Sequence, residues 1–324
     1  MLSIHPFSIA VACGALAAVA LFMLLGRHKG AEARTVELFA LLALPLGVLC
    51  GHLLYFIAMV HVMVPDHGVL FALRTWQGGF MFYGAVGGTV LAAWIASRVS
   101  GERLSRMLDW AALSLLLLIA VIRFAEPLDG QGWGMDPAEA VKGAKWLQRF
   151  PFSFATDPEW PEFTNLSVCY LAGLWALIAL AISLAGLRRR APGQTATLAL
   201  VLYAGGQILL ESLRRDYAVR WRFVRVSQLI SALLLLAVLI AAVRQGHLRG
   251  WRAARYIGGL FLCVGAVIAL EFAVDKPLKL PGHDPIYFSY VQVYSGIALM
   301  AVCMGLLAWF GHKPSRRRLA EVRK

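Results

Sequence analysis

Arg123 and Glu126 stand three residues apart in the run LIAVIRFAEPLDGQGWG, at the end of an apolar stretch where charge is costly. An arginine at the centre of a bilayer costs about 2.5 to 3.5 kcal/mol on insertion scales and less near the interface, so it is expected to face a partner or a polar cavity. Glu126 lies one helical turn on and can be that partner. From this segment alone, a snorkelling interfacial pair and a binding site are equally good readings. A second polar set, Gln207, Glu211, Arg214 and Arg215, recurs at i, i+4, i+7 and i+8, the spacing of one helix face. Glu211 is expected to hold an arginine, either Arg214 along the helix or Arg123 across the bundle; a helix-end salt bridge without chemistry is the other reading. The segment RRDYAVRWRFVR then gathers Arg214, Arg215, Arg220, Arg222 and Arg225 around a single acid, Asp216. Guanidinium groups bind phosphate through two parallel hydrogen bonds, and a basic cluster at a leaflet surface attracts anionic lipid at about 1 kcal/mol per charge. That makes the segment a candidate lipid-phosphate site, with a solvated charge cluster as the alternative.

The run WQGGFMFYGAVGG carries Gly78, Gly79 and Tyr83. Its glycines permit close backbone approach or a bent, re-entrant path, although glycine pairs in membrane helices more often mark packing seams. His52 and His61, lone histidines in an apolar run, read as hydrogen-bonded core residues rather than bases.

The elements that must position these residues are membrane helices. The chain is 60% hydrophobic and 15% charged, against roughly 45–50% apolar and about 25% charged in soluble domains, and its mean hydropathy is +0.69. A bilayer core of about 30 Å needs roughly 20 apolar residues per helix. Such runs fall near 7–26, 37–64, 80–98, 108–125, 166–187, 195–213, 226–243, 256–274 and 287–311, predicting an all-α polytopic bundle. The first run lacks a positive leader and a small-residue cleavage site and reads as a retained helix. Basic residues collect in alternate connections and in the C-terminal tail, which predicts an external N-terminus and a cytoplasmic C-terminus. The net charge of +13 is then mostly topogenic, and nucleic-acid binding is not implied. Residues 126–165, rich in Pro, Gly, Trp and Phe, are expected outside as a cap over a site. The five cysteines lie in or at the edge of apolar runs without ligand spacing, so neither a disulfide, a metal nor a cofactor is expected.

In chain order, four segments resemble a known family, the prolipoprotein diacylglyceryl transferases. WQGGFMFYGAVGG is similar to that family's WxGGMSFHGG segment, RFAEPLDGQGWG to its RxGNFxNxExxG signature, YAGGQILLESLRRD to its YGxxRxxxExxR segment, and VRVSQLISALLLLAVLI to its closing helix with a GQxLS start. RFPFSF at 149–154 also resembles its external aromatic-proline stretch. The resemblance covers roughly residues 8–245. It implies a seven-helix transferase domain over 1–245 with the cap loop, and makes 246–324, two further helices and a basic tail, an addition. It further implies a multi-pass protein of the bacterial plasma membrane in which phosphatidylglycerol gives its diacylglyceryl group to the lipobox cysteine of a prolipoprotein, whose signal peptide is the other partner. Such chemistry needs cations where charge builds on the departing phosphate and a polar group to help deprotonate the thiol. By position the catalytic residues would be Arg123, Glu211 and Tyr83, and the substrate-binding residues Gly78, Gly79, Glu126, Gln131, Gln207, Arg214 and Arg215.

Four of these positions depart from the family pattern. Tyr83 replaces a histidine, Gln207 an arginine, Gln131 a glutamate and Glu126 an asparagine. Tyrosine is a poor base at neutral pH and glutamine carries no charge. An alternative is therefore a paralogue that keeps a cavity for anionic lipid or lipoprotein without the chemistry. A transporter is less favoured, since no inverted repeat of broken helices is visible.

Overall fold

The computed structural model describes residues 5–141, 144–156, 162–216, 219–221, 224–275 and 287–312. The basic tail, Trp160 and Arg222, which carry expectations from the sequence, lie outside the described residues. In lipid every backbone N–H and C=O must be bonded inside its own segment, and the apolar runs accordingly become helices. In order they are α1 (Pro6–His28), α2 (Ala33–Ala58), α3 (Val60–His67), α4 (Phe82–Ser100), α5 (Leu104–Ala125), the single turn α6 (Pro137–Ala140), α7 (Val168–Ala185), α8 (Gln194–Leu213), α9 (Val226–Arg244), α10 (Gly250–Asp275) and α11 (Tyr290–His312).

Eight of these helices, all but α3, α4 and α6, are long and apolar enough to cross a membrane. Leucines point outward from them, Leu41 at 72% and Leu262 at 76% exposure, as suits a hydrocarbon solvent. This is an all-α polytopic membrane bundle. About nine crossing helices were expected from the run lengths. The ninth, α4, forms with 19 residues but is less apolar than the eight, because Tyr83, Thr89, Arg98 and three glycines dilute it. The second apolar run also breaks in two, α2 ending at Ala58 and α3 beginning at Val60 with Met59 between them.

By contacts the chain divides into two compact units. The first comprises Met1–Asp129, Gly173–Ala199 and Val219–Val226. Its core surrounds Phe22, Val36, Phe39 and Trp110, with the Phe22 and Phe39 rings stacked at 3.7 Å. Within this unit α2 and α4 meet backbone to backbone. A methyl group at Gly84 would collide with the Cys50 carbonyl, and one at Gly88 with the Leu46 carbonyl. These glycines are a packing seam. Asp109 on α5 accepts hydrogen bonds from the backbone N–H groups of Gly193 (2.8 Å) and Ala196 (2.7 Å) and so caps the start of α8.

The second unit comprises Gly130–Ala172, Leu200–Ala218 and Ser227–Lys324. Its core runs through α8, α9, α10 and α11 and includes Ile208, Leu235, Leu239, Leu248, Ile297 and Met304. The segment expected as a cap is ordered where described. It holds α6 and the antiparallel pair β1 (Ser153–Ala155) and β2 (Thr164–Leu166), with Ser153 opposite Leu166. The Ser167 hydroxyl donates to the Pro151 carbonyl and ties the hairpin to the start of α7.

Candidate active site

In the first unit, Arg123 occupies the last turn of α5 and Glu126 begins the 3-10 turn that follows. Arg123 Nη1 donates to Glu126 Oε1 at 2.6 Å, and the two side chains are only 9% and 8% exposed. A snorkelling pair would hold its heads in water, so burial decides against that reading. The Gly78–Gly79 turn has φ of +83° and +77°, where only glycine is unstrained. A side chain at Gly79 would run into the Tyr55 ring. Behind this turn the fully buried His52 places Nδ1 at 3.0 Å from the Gly79 carbonyl oxygen and Nε2 at 2.8 Å from that of Phe71. His52 is thus a strap between two loop segments, the core role expected of it. Tyr83 is buried on the first turn of α4.

In the second unit, Gln207 and Glu211 lie one turn apart on α8, and Gln207 Nε2 donates to Glu211 Oε2 at 2.7 Å. Both are almost wholly buried, and Gln207 Oε1 has no hydrogen-bond partner among the described residues. The expectation that Arg214 and Arg215 share their face is corrected here. The helix stops at Leu213, so the 3.6-residue period no longer applies, and Arg214 instead bridges to Gly134. Its guanidinium makes a two-pronged pair with Asp216, Nε to Oδ1 at 3.0 Å and Nη2 to Oδ2 at 2.5 Å. Asp216 Oδ2 also accepts from the Gly132 N–H at 2.7 Å, while the Arg215 N–H donates to the Trp133 carbonyl at 2.9 Å. Gly134 has no room for a side chain, since a methyl would meet the Leu213 carbonyl at 2.8 Å.

The GQGWG loop is therefore fastened along the end of α8, leaving Gln131 exposed on it. An open recess of about 290 Å³ lies beside it, walled by Trp133–Asp136, Asn165, Arg215 and Tyr290. The structure thus joins Arg123 to Glu126, Gln207 to Glu211, and Arg214 and Arg215 to the loop. Gln131 lies on that loop in the second unit, while the Gly78–Gly79 turn and Tyr83 stand just before and on the first turn of α4 in the first unit. Asp216 was missed as a clamp. Its signal was in the sequence, as the one acid amid five arginines.

These features define an integral membrane protein with buried guanidinium–carboxylate pairs at helix ends, beside glycine-rich loops. A family model for prolipoprotein diacylglyceryl transferase matches residues 1–244. A phosphatidylglycerol–prolipoprotein diacylglyceryl transferase of Symbiobacterium thermophilum is 30% identical over 235 residues, covering 69% of this chain and 84% of the relative. One of Bacillus licheniformis is 27% identical over 260 residues, 79% of this chain and 93% of the relative. One of Streptococcus pyogenes is 26% identical over 257 residues, 77% and 93% respectively. The chain belongs to the prolipoprotein diacylglyceryl transferase family.

Proposed function

We propose that this protein transfers the diacylglyceryl group of phosphatidylglycerol to the cysteine thiol of a prolipoprotein lipobox, at the outer face of a bacterial plasma membrane. The family match over residues 1–244 carries this reading. In the transfer the thiol loses its proton, sulfur bonds to the glyceryl carbon, and the C–O bond to phosphate breaks with release of glycerol phosphate. Arg123 is the group assigned to the charge building on that phosphate, supported by its burial beside Glu126. Glu211 and Tyr83 are the other residues assigned to catalysis, and Gly78, Gly79, Glu126, Gln131, Gln207, Arg214 and Arg215 are assigned to substrate binding. Residues 246–324 are read as an addition to the transferase domain. The relatives' names do not favour a non-catalytic paralogue.

The test is transfer by the purified protein from phosphatidylglycerol vesicles to a lipobox peptide, read as thioether product by mass. Product formation is the expected outcome. Binding of the lipid without transfer would establish the paralogue, and the double variant Tyr83→His with Gln207→Arg would then be expected to restore activity, Glu211 lying ready to pair with the new cation. Absence of both binding and transfer would remove the functional reading and leave the fold alone.

Orientation follows from the alternation of basic connections. A cysteine at Phe150, 76% exposed on the cap segment, in a background lacking the native cysteines, should react with an impermeant thiol reagent in intact cells. One at Ser315 should react only after lysis. Equal labelling at both sites would overturn the topology.

A further inference from the structure

The family match ends at residue 244, yet two contacts in the second unit tie the helices beyond it to the end of α8. Glu271 is a carboxylate in the last turns of the apolar helix α10, and a charge on such a helix is kept only where it has work or a partner. Its Oε1 accepts hydrogen bonds from Ser212 Oγ on α8 and from Gln228 Nε2 on α9, both at 2.7 Å. Three residues after Ser212, Arg215 Nη2 donates to the Tyr294 hydroxyl of α11 at 3.2 Å. Tyr290, one turn before Tyr294 and stacked on its ring at 6.5 Å, forms part of the wall of the recess that Arg215 also lines.

We propose that α10 and α11 are a working wall of the transferase site, in which the Tyr294 hydroxyl is a positioning group that aims the Arg215 guanidinium into the recess. This rests on the reading of the α8 terminus as part of the lipid-phosphate site. An arginine fork recognises phosphate by direction as well as by charge. A flexible side chain beyond a helix end has many rotamers, and a fixed acceptor on a neighbouring helix selects among them. The Glu271 contact serves the same end one step back, because it holds the turn of α8 from which Arg215 departs. The appended pair is thus expected to act on lipid affinity rather than merely to anchor the chain.

The experiment uses full-length protein in mixed micelles with phosphatidylglycerol and a lipobox peptide. Tyr294→Phe removes one hydroxyl and keeps the ring. It should raise KM for phosphatidylglycerol by roughly three- to tenfold, the span of one hydrogen bond to a charged group acting indirectly, and leave kcat within about twofold. The thermal midpoint should stay at the parent's value, which a purely structural role would not allow if KM moved with it. Adding Tyr294→Phe to Arg215→Gln should produce no further rise, because the hydroxyl acts through the guanidinium. An unchanged KM in Tyr294→Phe, a KM effect that merely tracks a fallen midpoint, or full additivity in the double variant would each overturn the proposal while parent activity stands. A parent that neither binds phosphatidylglycerol nor transfers would instead overturn the transferase reading, and this proposal with it.

Discussion

Arg123→Ala is expected to lower transfer by about 10² to 10³, the loss that follows removal of one preorganised group at a developing anion. The same change breaks the buried Arg123–Glu126 pair, and removing one partner of such a pair costs about 3 to 5 kcal/mol of stability, so inactivity by itself would not separate catalysis from folding. The double variant Arg123→Ala with Glu126→Gln removes both charges and keeps the shape of the carboxyl group. It should recover most of the lost thermal midpoint in detergent and none of the lost transfer. Arg123→Lys should recover transfer only in part, because a point charge does not reproduce a planar fork. Parent-level transfer by the double variant would reduce Arg123 to a structural counter-ion and displace the site.

The second large effect is expected at Asp216. One carboxylate holds the Arg214 guanidinium on two prongs and the Gly132 N–H on a third contact. Asp216→Ala removes all three accepted hydrogen bonds and breaks a buried ion pair, so a loss of about 3 to 5 kcal/mol is expected. It should appear as a lowered unfolding midpoint together with new protease cleavage within residues 130–136. Asp216→Asn keeps an acceptor for Gly132 and should fall between the two. A midpoint and cleavage pattern like the parent's in Asp216→Ala would show that the loop is held by its backbone bridges alone.

The membrane helices were legible because hydrophobic length is a local property, and α5, α7, α8, α9 and α11 lie close to where their apolar runs place them. The Arg123–Glu126 pair was legible for the same reason, its partners being one turn apart. The Asp216 clamp was not, since its contact with Gly132 spans 84 residues and helical spacing says nothing across that separation. Periodicity misled at Arg214 and Arg215, because it was carried one and two residues past Leu213, where α8 stops. The role of Glu271 was also hidden. A carboxylate inside an apolar run announces that it has a partner, but only the packing of α8, α9 and α10 reveals that Ser212 and Gln228 supply it.

The glycine seam between α2 and α4 bears on biogenesis. An inserting segment is first sorted by its own partition free energy, and the composition of α4 makes it the weakest candidate among the long helices. Once beside α2, it gains close van der Waals contact at Gly84 and Gly88 that no lipid chain can supply. Insertion of α4 is then expected to depend on the helix pair, following α2 into place, and substitutions at Gly84 or Gly88 are expected to act on whether the segment enters the membrane before they act on how the finished bundle packs.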